Sequence, residues 1–161
     1  MKSLTKNTKG FSLVEIIVVV LIMAIIAVAL APQVMKWVEN SRIASDLETR
    51  NDIEKMCQLA LTDEYVFEHV KDGGYTITII KDSSGRTQVS CDGASATSDP
   101  LFWDKFFAVG GYIDLQDFRD NIEIKSSPEA SGQIVLTVYV YEDGHTFSTL
   151  EGCSSSDLHV S

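Results

Sequence analysis

The sequence predicts an α+β fold: one long N-terminal helix, a membrane-spanning inner half followed by an amphipathic outer half, packed against a small antiparallel sheet of four to five strands. Three observations lead there. An unbroken apolar run covers Phe11 to Ala31, helical spacing of apolar residues resumes after Pro32, and past Gly73-Gly74 the apolar period shortens from three-and-four to two. The chain has 161 residues and is 45% hydrophobic, with much of that content in the first run. What remains supports one modest globular domain rather than two.

The first ten residues carry Lys2, Lys6 and Lys9 and no acid. By the bias that keeps short basic flanks inside, this end stays cytoplasmic and everything after the apolar run faces outward. The run is 21 residues long, enough at about 1.5 Å per residue to cross a bilayer. It holds one ionisable group, Glu15, five residues after Gly10, and the next cation is Lys36, beyond the run. A charged side chain at the centre of a spanning helix is disfavoured by roughly 2.5–3.5 kcal/mol on insertion scales, so such a residue usually has a partner and a task. No cation lies within the helical turns that follow it. The partner must come from another subunit or from a chain end created by cleavage.

Beyond Pro32, Val34, Met35 and Val38, then Ile43, Ala44 and Leu47, then Ile53, Met56, Cys57, Ala60 and Leu61 mark an amphipathic stripe. One helix is expected from about residue 12 to about residue 66, kinked at Pro32, where a backbone donor is missing. Arg42, Asp46, Arg50 and Glu54 are spaced for i,i+4 ion pairs. Tyr75 to Ile80 and Thr87 to Cys91 read as a hairpin around Asp82-Ser83-Ser84-Gly85. Ser98-Asp99-Pro100 starts a short helix that Gly110-Gly111 stops, and its Phe102, Trp103, Phe106 and Phe107 are expected in the core. Ile122 to Lys125, Gln133 to Tyr141 and His145 to Leu150 read as further strands of a meander, the last two joined by a tight Asp143-Gly144 turn.

The search for catalytic chemistry is negative. His69, His145 and His159 lack metal-ligand spacing, and no nucleophile elbow, phosphate loop, dinucleotide motif or zinc-protease motif occurs. No enzyme activity, cofactor or metal is expected, and the acidic turns at Asp82 and Glu142-Asp143 read as solvated loops. Loss of the first ten residues removes three lysines and no acid, taking the side-chain balance from −10 to −13. That balance argues against nucleic acid as a general partner. Three cysteines, Cys57, Cys91 and Cys153, allow at most one internal bond. Cys57 on the apolar stripe suits a buried thiol, but its pairing with either other cysteine stays open.

Two plainer accounts of the first run explain less. An ordinary secretory signal has an apolar stretch of about 7–15 residues, and the Ala29-Leu30-Ala31 site it would use is followed by Pro32 in the cleaved bond. A plain single-pass anchor fits the length but leaves Glu15 without a reason.

The stretch Lys9-Gly10-Phe11-Ser12-Leu13-Val14-Glu15, the aliphatic run after it and Pro32 at its end resemble the N-terminus of type IV pilins and pseudopilins, the bearers of class III signals. The resemblance covers about the first quarter of the chain closely and the rest only in general layout. It implies a leader at residues 1–10 removed by a prepilin peptidase between Gly10 and Phe11, methylation of the Phe11 amine, and pairing of Glu15 with the Phe11 amine of a neighbouring subunit. It divides the chain into that leader, a membrane and polymerisation helix at 11–31, and an extracytoplasmic domain at 32–161. It further implies a C-terminal disulfide, for which Cys91 and Cys153 are the candidates. The expected role is a major-type pilin: a single-pass precursor of the cytoplasmic membrane that a cytoplasmic assembly ATPase and a platform protein build into a helical homopolymer on the cell surface. The alternative is a pseudopilin of a type II secretion or competence (DNA-uptake) machine.

Overall fold

A computed structural model describes residues 10–68, 74–92, 100–128 and 132–153. The elements are α1 (Leu13–Ala60), α2 (Glu64–Glu68), β1 (Tyr75–Lys81), β2 (Thr87–Asp92), α3 (Pro100–Gly110), α4 (Leu115–Asn121), β3 (Ile134–Val140) and β4 (Thr146–Glu151). The chain divides into two compact units, Met1–Val38 and Glu39–Ser161, and α1 contributes residues to both.

In the first unit the apolar side chains from Leu13 to Val38 stand exposed on every face of the helix. No polar stripe marks a water-facing side, as expected of a helix meant for lipid or for other helices. Pro32 lies inside α1, and since it has no N–H, the carbonyl four residues earlier loses its usual donor.

In the second unit four strands form one antiparallel sheet in the order β2-β1-β3-β4. The expected α+β architecture is present, with the later part of the long helix packed on the sheet. The order differs from a meander. β1 is central because the chain leaves the β1–β2 hairpin through α3 and α4 and returns beside β1, as the register Ile77↔Val138 shows. One face of the sheet, with Ile77, Ile79, Leu136, Val138 and Val140, joins Ile53, Cys57 and Ala60 of α1 and the aromatic residues of α3 in a single core. Phe102, Trp103, Phe106 and Phe107 are all buried. Tyr75 stacks on Phe102 at 4.1 Å between ring centres, and Phe118 of α4 meets Phe106 edge-on at 5.5 Å. Each such side chain contributes about 1.5–3 kcal/mol by leaving water. Among the described residues Trp103 Nε1, buried among these rings, has no hydrogen-bond acceptor.

Sequence reasoning missed α4. Its signal is Asp114, an N-cap whose side chain accepts from the Asp117 amide at 2.9 Å. The segment expected as a strand at Ile122 to Lys125 belongs to no sheet, because charged side chains take its backbone groups. The carboxylate of Asp46, fully buried on α1, accepts from the Lys125 amide at 2.7 Å, from the Ser126 amide at 2.9 Å and from the Ser126 hydroxyl. On the other side, Lys81 Nζ donates to the carbonyls of Ile124 at 2.7 Å and Ser126 at 2.9 Å. The segment is thus clasped between an acid from the helix and a base from the sheet.

The same geometry corrects the expected i,i+4 pairs. Arg42 pairs with Glu39 at 3.4 Å, and Glu54 accepts from Thr146 Oγ1 at 3.1 Å and Ser148 Oγ at 2.6 Å on β4. Asp46 and Glu54 lie on the side of α1 that meets the rest of the domain, so they bond across it rather than along the helix. At the β1–β2 turn, Asp82 is engaged by the loop itself, accepting from the Ser84 hydroxyl and from the Ser84 and Arg86 amides. These bonds, the hydroxyl first, hold its carboxyl below the usual range.

The disulfide expected between Cys91 and Cys153 is absent: among the described residues no two cysteines are joined by a disulfide. Cys91 lies on β2 at one edge of the sheet, while Cys153 follows β4 at the other edge and bridges Pro128. Neighbouring strands lie about 4.8 Å apart, so three strand spacings separate the two edges, whereas a disulfide needs Cα atoms within about 7 Å. Cys57 is fully buried in the core, and burial, helped by Glu54 and Cys91, pushes its thiol pKa up. A neutral, covered thiol does not react. Alkylation of the native chain should therefore leave Cys57 unmodified until denaturant is added, as read by peptide mass mapping. Labelling of Cys57 as fast as in the unfolded chain would contradict the packing described.

Candidate functional site

The residues singled out by the sequence meet at the start of α1. Gly10 and Phe11 precede the helix and are exposed, Phe11 at 83%. Glu15 lies in the first helical turn. Its Oε2 accepts a 2.8 Å hydrogen bond from the backbone N–H of Ser12, while the Ser12 carbonyl accepts from the Ile16 amide at 3.3 Å and so begins the helical ladder. This is the glutamate half of a capping box, in which the third helical residue reaches back to the amide of the cap. Its signal in the sequence is Ser12-Leu13-Val14-Glu15, a serine followed three residues later by glutamate at the start of an apolar run.

Phe11, Val14, Glu15, Ile16, Val18 and Val19 line a shallow recess of about 380 Å³, so that the carboxylate belongs to an otherwise apolar surface. Among the described residues Glu15 makes no ion pair. The arrangement is a carboxylate held at a helix N-terminus, where aligned backbone dipoles favour negative charge, within exposed apolar surface.

Gly10 is placed differently. A Cβ built on it meets no heavy atom within 4 Å, so among the described residues no packing contact calls for glycine there. Pro32 lies farther along α1, and Cys91 and Cys153 belong to the second unit, at opposite edges of its sheet. Among the described residues no group of three or more His, Cys, Asp or Glu side chains could hold a metal ion.

An apolar helix long and apolar enough to cross a membrane, one carboxylate in its first turn and an α+β unit beyond it fit a membrane-anchored precursor. Residues 5–31 match the family described as the prokaryotic N-terminal methylation motif. The chain thus carries the class III signal of type IV pilins and pseudopilins, and the long helix on a four-strand antiparallel sheet is a pilin-like fold. Such a signal implies processing by a prepilin peptidase and assembly. No curated protein and no solved structure matches the chain.

Proposed function

We propose that this chain is a structural subunit of a type IV pilus, of the major-pilin type, and has no enzymatic activity of its own. A prepilin peptidase cuts between Gly10 and Phe11 and methylates the Phe11 amine. The precursor waits in the cytoplasmic membrane through its apolar helix, with residues 1–10 inside and the α+β unit outside. An assembly ATPase, acting through a platform protein, then moves it into a helical homopolymer on the cell surface. Within that polymer Glu15 pairs with the terminal amine of a neighbouring Phe11, and α1 bends at Pro32 to fit its neighbours.

The observation that carries this reading is the placement of Glu15: a lone carboxylate in the exposed apolar stretch that begins α1, four residues from Phe11 of the exposed Gly10-Phe11 junction. Lipid and the core of a helical fibre are similarly apolar, so helix packing adds mainly dispersion, and the ion pair supplies the directional part of the attraction. The exposed junction suits a protease, and the open space around Gly10 supports a glycine that is read by the peptidase rather than needed by the fold.

Mass analysis of the mature N-terminus together with electron microscopy of sheared cell-surface material tests the reading. A methylated Phe11 terminus on a chain found in long fibres is expected. A mature chain that retains residues 1–10, or one present only as monomers, defeats it, and a processed chain in the envelope with no long fibres selects the secretion or competence pseudopilin instead. A second expected result follows from Gly10→Val: processing should fall at least about tenfold on immunoblots, while the melting temperature of the folded unit stays unchanged.

A further inference from the structure

The contact that begins α1 deepens the reading just given and rests on it. Glu15 has two carboxylate oxygens, and the amide of its own Ser12 takes one of them, Oε2, at 2.8 Å. Among the described residues no second donor reaches the carboxylate, and Glu15 also lines the recess with Phe11 and Val14. We propose that Glu15 uses its oxygens separately, Oε2 on its own Ser12 N–H and Oε1 on the terminal ammonium of the adjoining subunit, so that the Ser12 amide is a positioning group for assembly.

Two physical arguments support this division. A free glutamate side chain samples many rotamers and loses that freedom when it pairs. A hydrogen bond within the chain fixes the side chain before the partner arrives, which removes part of the cost of association. The same bond acts earlier too. In the uncleaved chain no terminal amine exists at residue 11, and a charge-assisted bond from Ser12, reinforced by the helix dipole, stabilises an anion that otherwise faces hydrocarbon alone. Ser12 donates through its backbone, so an N–H at position 12 is required and the hydroxyl is not.

The first measurement is amide hydrogen exchange at residue 12, by NMR, in the uncleaved chain in detergent micelles. Exchange in the wild type and in Glu15→Gln, whose amide oxygen still accepts, should be at least roughly tenfold slower than in Glu15→Ala. The second is fibre yield per processed chain in cells. Ser12→Ala should match the wild type, and Ser12→Pro, which deletes the donor, should fall roughly tenfold or more. Equal exchange in wild type and Glu15→Ala overturns the proposal, as does normal assembly of Ser12→Pro. If Ser12→Pro stays uncleaved, the exchange comparison decides, since it is made on the uncleaved chain. Normal fibres from Glu15→Ala would remove the underlying pairing as well, whereas failure of Glu15→Ala beside normal assembly of Ser12→Pro removes only the role of the Ser12 amide.

Discussion

Replacement of Asp46 by alanine is expected to destabilise the folded unit by about 3–5 kcal/mol, the largest effect of any single substitution outside the apolar core. The carboxylate is completely buried and satisfies three donors, the amides of Lys125 and Ser126 and the Ser126 hydroxyl. Alanine leaves both amides facing the space where it stood, and each unmet buried donor costs about 1–3 kcal/mol. The hydroxyl has an escape, because Cys153 Sγ lies 3.7 Å from Ser126 Oγ. Against a typical total stability of about 5–15 kcal/mol, the loss should lower the melting temperature of the full chain in detergent by on the order of 10 °C or more. Asp46→Asn should fall between wild type and alanine, since one oxygen still accepts while the new NH₂ group opposes the donors. Ser126→Ala should cost only about 1 kcal/mol, because it removes a donor and leaves both amides paired. A loss below about 1 kcal/mol for Asp46→Ala would show that the clasp contributes little. The clasp would then be a consequence of packing rather than a cause.

Glu15→Ala should leave cleavage at Gly10-Phe11 largely intact and reduce fibres by about a hundredfold or more. Two effects push the same way. Without the carboxylate the precursor sits more favourably in lipid, by less than the roughly 2.5–3.5 kcal/mol that applies at a helix centre, because Glu15 is in the first turn. In the polymer, the terminal ammonium that Glu15 would neutralise is left unpaired in an apolar core, and removal of one partner of a buried pair typically costs about 3–5 kcal/mol. Both shifts favour the membrane monomer over the fibre. Fibre yield by electron microscopy and immunoblot, scaled to processed chain, reads the change. Wild-type fibre length and number from this variant would leave the lone carboxylate without the assigned role. Glu15→Gln separates charge from hydrogen bonding: it should keep the Ser12 contact yet assemble no better than alanine.

Much of the architecture was legible because it rests on local periodicity. The stripe from Ile43 to Leu61, the β-branched run of β1 and the Pro100 start of α3 each imprint a repeat on consecutive residues. Structure and expectation agree on these within a few residues. The aromatic residues of α3 went to the core for the same reason, since helical spacing puts Phe102, Phe106 and Trp103 on the buried face. The failures share a different cause. Ile122 to Lys125 has strand-like composition, but its backbone partners are Asp46 and Lys81, which stand 79 and 43 residues away from their respective contacts. The disulfide expectation followed from the family resemblance, and sheet order alone set Cys91 and Cys153 at opposite edges.

The sequence by itself determined the signal: an apolar helix, a basic leader and one misplaced acid are facts about neighbours in the chain, and hydrocarbon selects on them before any domain folds. The fold decided which carboxylates of α1 bond across the domain, where the cysteines stand relative to one another and which oxygen of Glu15 is already taken. Those depend on distances between residues, and distances are set only once the side chains have packed.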